Sequence, residues 1–485
     1  MGPRYLIYVW KCSLVAMLLQ WWPLAAAPAP NLVMIISDDH AWTDYGFMGH
    51  PYLRTPHLDR LARESLVFTR AYVPASLCCP SLASLITGRY PHQHKITSND
   101  PPLPPGMTPA QFYKTPAFQE GREVMNRHLE SVPTLPRLLK ERGYWCLQTG
   151  KWWQGDYTRG GFTHGMTRGG RHGDEGLDIG RKTMQPIYDF IARSRAEQRP
   201  FMVWYAPMMP HDPHTPPERL LEKYRPLTPS LHVARYWAMV EWLDETVGEL
   251  LQYLDAQRLA TNTLVVYLAD NGWIQSEDNP RYAPKSKQSP YDGGLRTPLM
   301  LRWPGKIRPA LRTTPVSSVD VLPTLVKLMQ LPPMPDLPGI DLLDQRAVSR
   351  RPAIFGECHT HNAVDLHQPA SSLRWRWVVA GDWKLIVPHP ANEPEGTLEL
   401  YHLGRDPREQ QNLASREPRR VARLQAMLDA WWRPFPGWRE GCSFGAGERN
   451  VRLSPGCRAP KHFCPAYAPG ACGVRPSGGA SRKPA

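Results

Sequence analysis

Four apolar, β-rich runs constrain this chain most, because each is followed at once by polar residues able to do chemistry. Asn31–Ser37 leads into Asp38 and Asp39, and Tyr144–Gln148 leads into Thr149, Gly150 and Lys151. Phe201–Ala206 leads into Pro210 and His211, and Thr263–Ala269 into Asp270 and Asn271. Continuous rather than alternating apolar runs suit strands buried on both faces of a parallel sheet. Helical patterns lie between them. One is opened by Thr55 and Pro56 and turns Leu58, Leu61 and Ala62 inward; others cover Thr134–Lys140, stopped by Gly143, and His232–Leu254. This alternation predicts an α/β fold with helices on both faces of the sheet. Ligands of such sheets bind beyond the carboxyl ends of the strands, so the four strand ends make one candidate site.

The residue types at those ends point to a hard cation and an anion. Asp38, Asp39, Asp270 and Asn271 offer oxygen ligands alone, which favours calcium or magnesium over zinc. Lys151 and His211 add a cation and a proton donor, the parts needed to hold and cleave an anionic ester.

The stretch Cys78-Cys79-Pro80-Ser81-Leu82, followed by Thr87-Gly88-Arg89, resembles the signature of the type I, formylglycine-dependent sulfatases of the alkaline-phosphatase-like superfamily. Further blocks resemble that family in its order: Ile36–Asp39, Thr149–Trp152, Met209–His214, Ala269–Gly272, Lys287 with Tyr291–Pro298, and Leu400–Leu403 with Asp406–Leu413. The resemblance covers roughly residues 31 to 432. It implies a large mixed, mainly parallel sheet over residues 30–350 and a smaller antiparallel sheet with a helix over 351–432. It further implies that Cys78 is oxidised to formylglycine by a sulfatase-maturation enzyme. Asp38, Asp39, Asp270, Asn271 and the converted Cys78 would then hold the metal. Lys151 and Lys287 would hold the sulfate, His211 would protonate the leaving alcohol, and sulfate would depart as the aldehyde re-forms.

Two departures stand out. Leu82 occupies the place of the signature arginine and brings neither charge nor donor. Trp153 stands where the family commonly has a histidine, and indole cannot take up a proton. His92 and His94 are candidates to replace that histidine or to line the substrate pocket, and His164 and Arg168, in a Gly/Arg/His-rich loop, are candidates to contact an anionic sugar. Three functions fit these residues: a sulfatase acting on a sulfated carbohydrate or other sulfate ester, a sulfated-ligand binder with little turnover, and a phosphate or phosphonate ester hydrolase.

Residues 1–29 run from basic through apolar to small, the order of a secretory signal, and predict export to a periplasm or the exterior. Later, Trp375–Val379 and Trp383–Val387 read as a hairpin around Gly381-Asp382, and Arg419–Trp432 as a helix with Val421, Leu424, Leu428 and Trp431 on one stripe. The 53 prolines among 485 residues predict long, stiffened connections, and residues 99–133 read as an insertion over the site. The formal charge of +14 would suit nucleic acid, yet no basic, aromatic-interleaved module for it is present. Nine basic and two acidic side chains, or +7, fall in the Gly/Pro-rich tail 433–485, which also carries Cys442, Cys457, Cys464 and Cys472. The overall charge therefore describes the tail more than the site, and oligomeric state is not legible.

Overall fold

The apolar runs become the middle of one large sheet. In the computed structural model, which describes residues 28–434, the strands are β1 Asn31–Ser37, β2 Leu66–Tyr72, β3 Trp145–Gly150, β4 His164–Gly165, β5 Phe201–Ala206, β6 Thr263–Ala269, β7 Arg296–Arg302, β8 Ala310–Arg312 and β9 Val316–Ser317. Their order is β4-β3-β5-β1-β6-β7-β2-β8, with β9 also beside β2. β4, β3, β5, β1 and β6 run parallel, β7 runs against both β6 and β2, and β8 and β9 run parallel to β2. The sheet is thus mixed and mainly parallel.

Both faces are buried, as continuous apolar strands require. From β1, Leu32, Met34 and Ile36 join one core with the helices Cys78–Thr87, Leu135–Glu141 and Val321–Leu328. Val33 and Ile35 join the other, with Pro56–Arg63, Gln185–Ala196 and Leu231–Ala256. The third strand ends two residues later than its apolar run, at Gly150, because Thr149 and Gly150 still pair with Tyr205 and Ala206.

A second sheet, β10 Ile354–His359, β11 Leu373–Ala380, β12 Trp383–Pro388 and β13 Glu399–His402, is antiparallel in sequence order. One face packs Trp377, Val379 and Ile386 against Tyr72, Val73 and Leu295 of the large sheet's surroundings. The other packs Val378, Leu385 and Leu400 against Val421, Leu424 and Leu428 of the helix Pro418–Trp431. The β11–β12 turn uses Gly381 at φ +60°, a conformation open to glycine.

The helix at the signature begins at Cys78 itself. The stretch 99–133, read as an insertion over the site, holds the helix Pro116–Glu130, whose Phe118, Met125 and Leu129 are buried. Among the described residues no helix is long and apolar enough to cross a membrane. The signal region to residue 27 and the tail cysteines lie outside the described residues. Within them, Cys78, Cys79, Cys146 and Cys358 are buried free thiols.

Candidate active site

Strand ends bring eight of the singled-out side chains together. Asp38 and Asp39 leave β1 in a tight bend, with Asp39 at φ +59° and its N–H donated to Asp270 Oδ1 at 3.0 Å. Asn271 Nδ2 donates to Asp39 Oδ1 at 2.6 Å. Gly150, at φ +72°, lets β3 cross β5 so closely that a Cβ would lie 1.9 Å from Ala206 O. Lys151 is therefore delivered into the cluster: its Nζ lies 2.6 Å from Asp38 Oδ1 and 3.0 Å from Cys78 Sγ. Cys78 opens the ten-residue helix Cys78–Thr87, whose amino terminus favours negative charge beside it. Lys287 Nζ bonds Asp39 Oδ2 at 2.7 Å. His211 Nε2 is 3.4 Å from the same oxygen, while its Nδ1 faces the carbonyl and carboxylate of Asp212 at 2.5 and 2.9 Å. Two acceptors at Nδ1 place the proton there and leave Nε2 for the site.

Electrostatics explain why such a buried cluster holds together. Burial works against the Asp39 carboxylate, but Lys287, His211 and Lys151 outweigh it and hold its pKa below the ordinary value. Burial and the neighbouring Asp38 push Asp270 well up. Burial also raises the Cys78 thiol, with Lys151 and Lys287 opposing, so the side chain is a thiol at neutral pH. Against the cost of burial, the Asp38 carboxylate above all holds Lys151 charged.

The donor set fits a hard divalent cation. One ligand atom each from Asp38, Asp39, Cys78 and His211 lie within 4.8 Å of one another. Asp38 Oδ2, Asp270 Oδ2 and Asn271 Oδ1 are buried without a hydrogen-bond partner, and buried oxygens of this kind ask for a cation. A cation would also relieve the repulsion that raises Asp270.

The remaining candidates sit elsewhere. His92 donates into the buried Glu357 (Nδ1 to Oε1, 3.0 Å) and stacks on Trp432, so it joins the two sheets' surroundings. His94 is buried between Ser84 Oγ at 3.0 Å and the N–H of Ile96 at 3.1 Å. His164 packs edgewise on Trp145 and Phe190 in the edge strand β4. Arg168 is exposed and reaches only Glu175 at 3.5 Å. None of these four joins the strand-end cluster: His92, His94 and His164 are engaged in packing or hydrogen bonds, and Arg168 faces solvent.

The same Gly/Arg/His-rich loop brings Arg171 and His172 beside Trp153. The Arg171 guanidinium pairs with Asp100 through two bonds of 2.8 and 2.7 Å and stands 4.9 Å over the Trp153 ring. His172 contacts Trp153 edge-on at 4.5 Å and His211 at 6.2 Å between ring centres. Its carbonyl accepts from Trp152 N at 2.9 Å. Trp153 thus sits among Arg122, Lys151 and Arg171, all within 6 Å of its ring. The signal that could have singled out Arg171 and His172 is Gly173, at φ +130°, where a Cβ would lie 2.4 Å from Gly150 O.

Comparison with known proteins agrees with this geometry. A family model described as Sulfatase matches residues 30–331, and one described as N-sulphoglucosamine sulphohydrolase, C-terminal, matches 285–431. Dog N-acetylgalactosamine-6-sulfatase is 28% identical over 468 residues, covering 82% of this chain and 84% of its own. Human arylsulfatase A is 31% identical over 372 residues, covering 66% and 68%. A protein solved in complex with D-glucosamine-2-N,6-O-disulfate superposes with a TM-score of 0.64 at 18% identity, over 84% of this chain and 98% of its own. With the first model spanning more than half its length and the fold and strand-end cluster in agreement, the chain belongs to the sulfatase family of sulfuric ester hydrolases, on the alkaline-phosphatase-like fold.

Proposed function

We propose that this chain hydrolyses a sulfate ester on a sulfated carbohydrate, with formylglycine made from Cys78 by a maturation enzyme and with calcium, or else magnesium, at the strand-end carboxylates. The observation that carries the reading is the Lys151 ammonium, 3.0 Å from Cys78 Sγ and 2.6 Å from Asp38. It joins the convertible side chain, the anion-holding cation and the carboxylates in one buried cluster. The names of the relatives support a sulfated sugar as substrate, and the amino-terminal order of residues supports export.

Asp38, Asp39, Asp270 and Asn271 would hold the cation, which when bound polarises sulfate oxygens and lowers the pKa of an oxygen nucleophile. Lys151 and Lys287 would offer the sulfate oxygens the N–H donors not taken by Asp38, Cys78 and Asp39, and neutralise its charge. His211, with Nδ1–H fixed on Asp212, would present Nε2 to the leaving oxygen and, with both ring nitrogens protonated, give up its Nε2 proton. The amino terminus of the helix Cys78–Thr87 adds its dipole to the anion's side of the site.

Mass analysis of the Cys78 peptide from the native host, with parallel assays on aryl sulfate and aryl phosphate, tests the reading. Conversion of Cys78 and turnover of the sulfate alone are expected; an unaltered thiol in inactive protein would sink it. A second reading, a sulfated-ligand binder with little turnover, is favoured by Leu82. That side chain is buried in the apolar core, one helical turn beyond Cys78, and gives the nucleophile no donor.

A further inference from the structure

Lys384, in β12 of the small sheet, is fully buried, and the reaction described above does not use it. Its Nζ bonds Asp292 Oδ1 at 2.9 Å and Glu409 Oε1 at 2.8 Å. Glu409 Oε2 accepts the backbone N–H of Asp292 at 2.6 Å, and Tyr72 donates its hydroxyl to Asp292 Oδ2 at 3.0 Å. Charges so completely removed from water hold one another in place, because moving any one of them would leave the others buried and unpaired.

What it carries is a piece of the active site. Asp292 opens the short turn Asp292–Leu295, wedged between the Asp270–Gly272 strand end and the segment bearing Lys287. A Cβ on Gly293 would lie 2.4 Å from Lys285 O, and one on Gly294 would lie 2.2 Å from Ser286 O. On the other side, Gly272 N donates to Gly294 O at 2.9 Å, and a Cβ on Gly272 would lie 2.2 Å from Gly293 O. Backbones this close leave no slack between the metal-ligand strand end, the turn and the lysine segment. The small-sheet side grips that segment twice more: Lys285 donates to the carbonyl of Glu409, and Arg374 of β11 donates to Gln288 O at 3.4 Å.

We propose that the buried Lys384–Asp292–Glu409 cluster is a positioning device through which the small sheet sets where the Lys287 ammonium stands over Asp39. The inference rests on Lys287 being a sulfate ligand. Lys384, Asp292 and Glu409 touch no substrate; they act through the turn.

The test uses the full chain with the double substitution Lys384→Met/Glu409→Gln, which removes one buried cation and one buried anion together. Asp292 keeps Tyr72 and, at 3.8 Å, Arg296. Three readouts are compared with the unaltered protein: calorimetric binding of inorganic sulfate, hydrogen exchange of the peptide 285–295, and the effect of Lys287→Met in each background. Sulfate binding is expected to weaken by about tenfold or more. The peptide 285–295 exchanges faster while β1 is unchanged, and Lys287→Met adds little in the double variant. Leu424→Ala, which opens the far core of the small sheet, lowers Tm but leaves sulfate affinity alone. Unchanged affinity and exchange in the folded double variant overturn the proposal, as does a full-sized Lys287→Met effect there. If the unaltered protein binds no sulfate, the reading of Lys287 fails instead, and the exchange data still decide the positioning.

Discussion

Arg171 Nη1 donates a hydrogen bond to His172 Nε2 at 2.8 Å. Guanidinium is always a donor, so His172 must accept at Nε2 and carry its proton on Nδ1. Burial first, then the charges of Arg171 and Lys151, hold its pKa well below the ordinary histidine value. His172 therefore stands beside Trp153 as a neutral donor, not as a replacement base. Imidazole NMR is expected to show His172 neutral at and above the ordinary histidine midpoint. Arg171→Met, which removes a cation and leaves Asp100 behind, moves its titration upward toward the ordinary range. A wild-type midpoint near that of free histidine would contradict the assignment.

Lys151→Met should abolish most turnover of an aryl sulfate. It removes a fully buried ammonium bonded to Asp38 and adjacent to Cys78. Loss of one preorganised charge contact to the transferring group lowers kcat by about 10²–10³. Cys78→Ala should remove turnover altogether while retaining sulfate binding, which calorimetry would register.

Removal of the divalent cation should destabilise the protein. The partnerless oxygens of Asp38, Asp270 and Asn271 and the raised Asp270 carboxyl all await a positive charge. A ligand at a hundred times its Kd stabilises by about 2.7 kcal/mol, so chelation lowers Tm by several degrees. Calcium is expected to restore Tm more fully than magnesium, and Asp270→Asn to blunt the response. A Tm indifferent to chelator and to added metal would remove the metal from the proposal.

Acid should destabilise the fold through two buried histidines. His40 and His94 are fully buried, and burial lowers each to about 3. His94 is held neutral by geometry as well, because its Nδ1 accepts from Ile96 N. Because these folded pKa values lie below the unfolded value of 6.5, the unfolded chain binds more protons below pH 6.5. The stability is full above pH 6.5 and is lost as pH falls toward 3, at about 1.4 kcal/mol per unit per histidine. Denaturant midpoints at pH 7.5 and 5 measure this, and His94→Gln should shrink the difference between them.

The strand ends were legible because the physics that buries a parallel strand on both faces also writes it as an unbroken apolar run. Asp38, Lys151, His211 and Asp270 follow such runs directly. His92 and His94 were misleading because a buried, hydrogen-bonded histidine and a substrate-facing one are the same letter. Asp100 escaped, and Arg171 and His172 were not told apart from the rest of their loop, because loops carry no period and Arg171 acquires its place only by pairing with Asp100 across 71 residues of chain. Lys384 lay in a run read as ordinary hairpin, and nothing local separates a buried lysine from a solvated one. Pro80 occupies the first turn of the signature helix, where a missing N–H costs nothing.

The reversed strand β7 gives the rim of the large sheet two kinds of supply line. Asp38, Lys151, His211 and Asp270 reach it from chain that has just left a strand, whereas Lys287 reaches it from chain about to enter one. The turn Trp303–Pro309 that follows β7 consequently opens at the opposite rim. Insertions there lie away from the strand-end cluster, while a single residue added between Lys287 and Arg296 would shift the Lys287 ammonium off Asp39. Variation in this molecule is thus partitioned by strand direction, with one rim free to diversify and the other bound to its spacing.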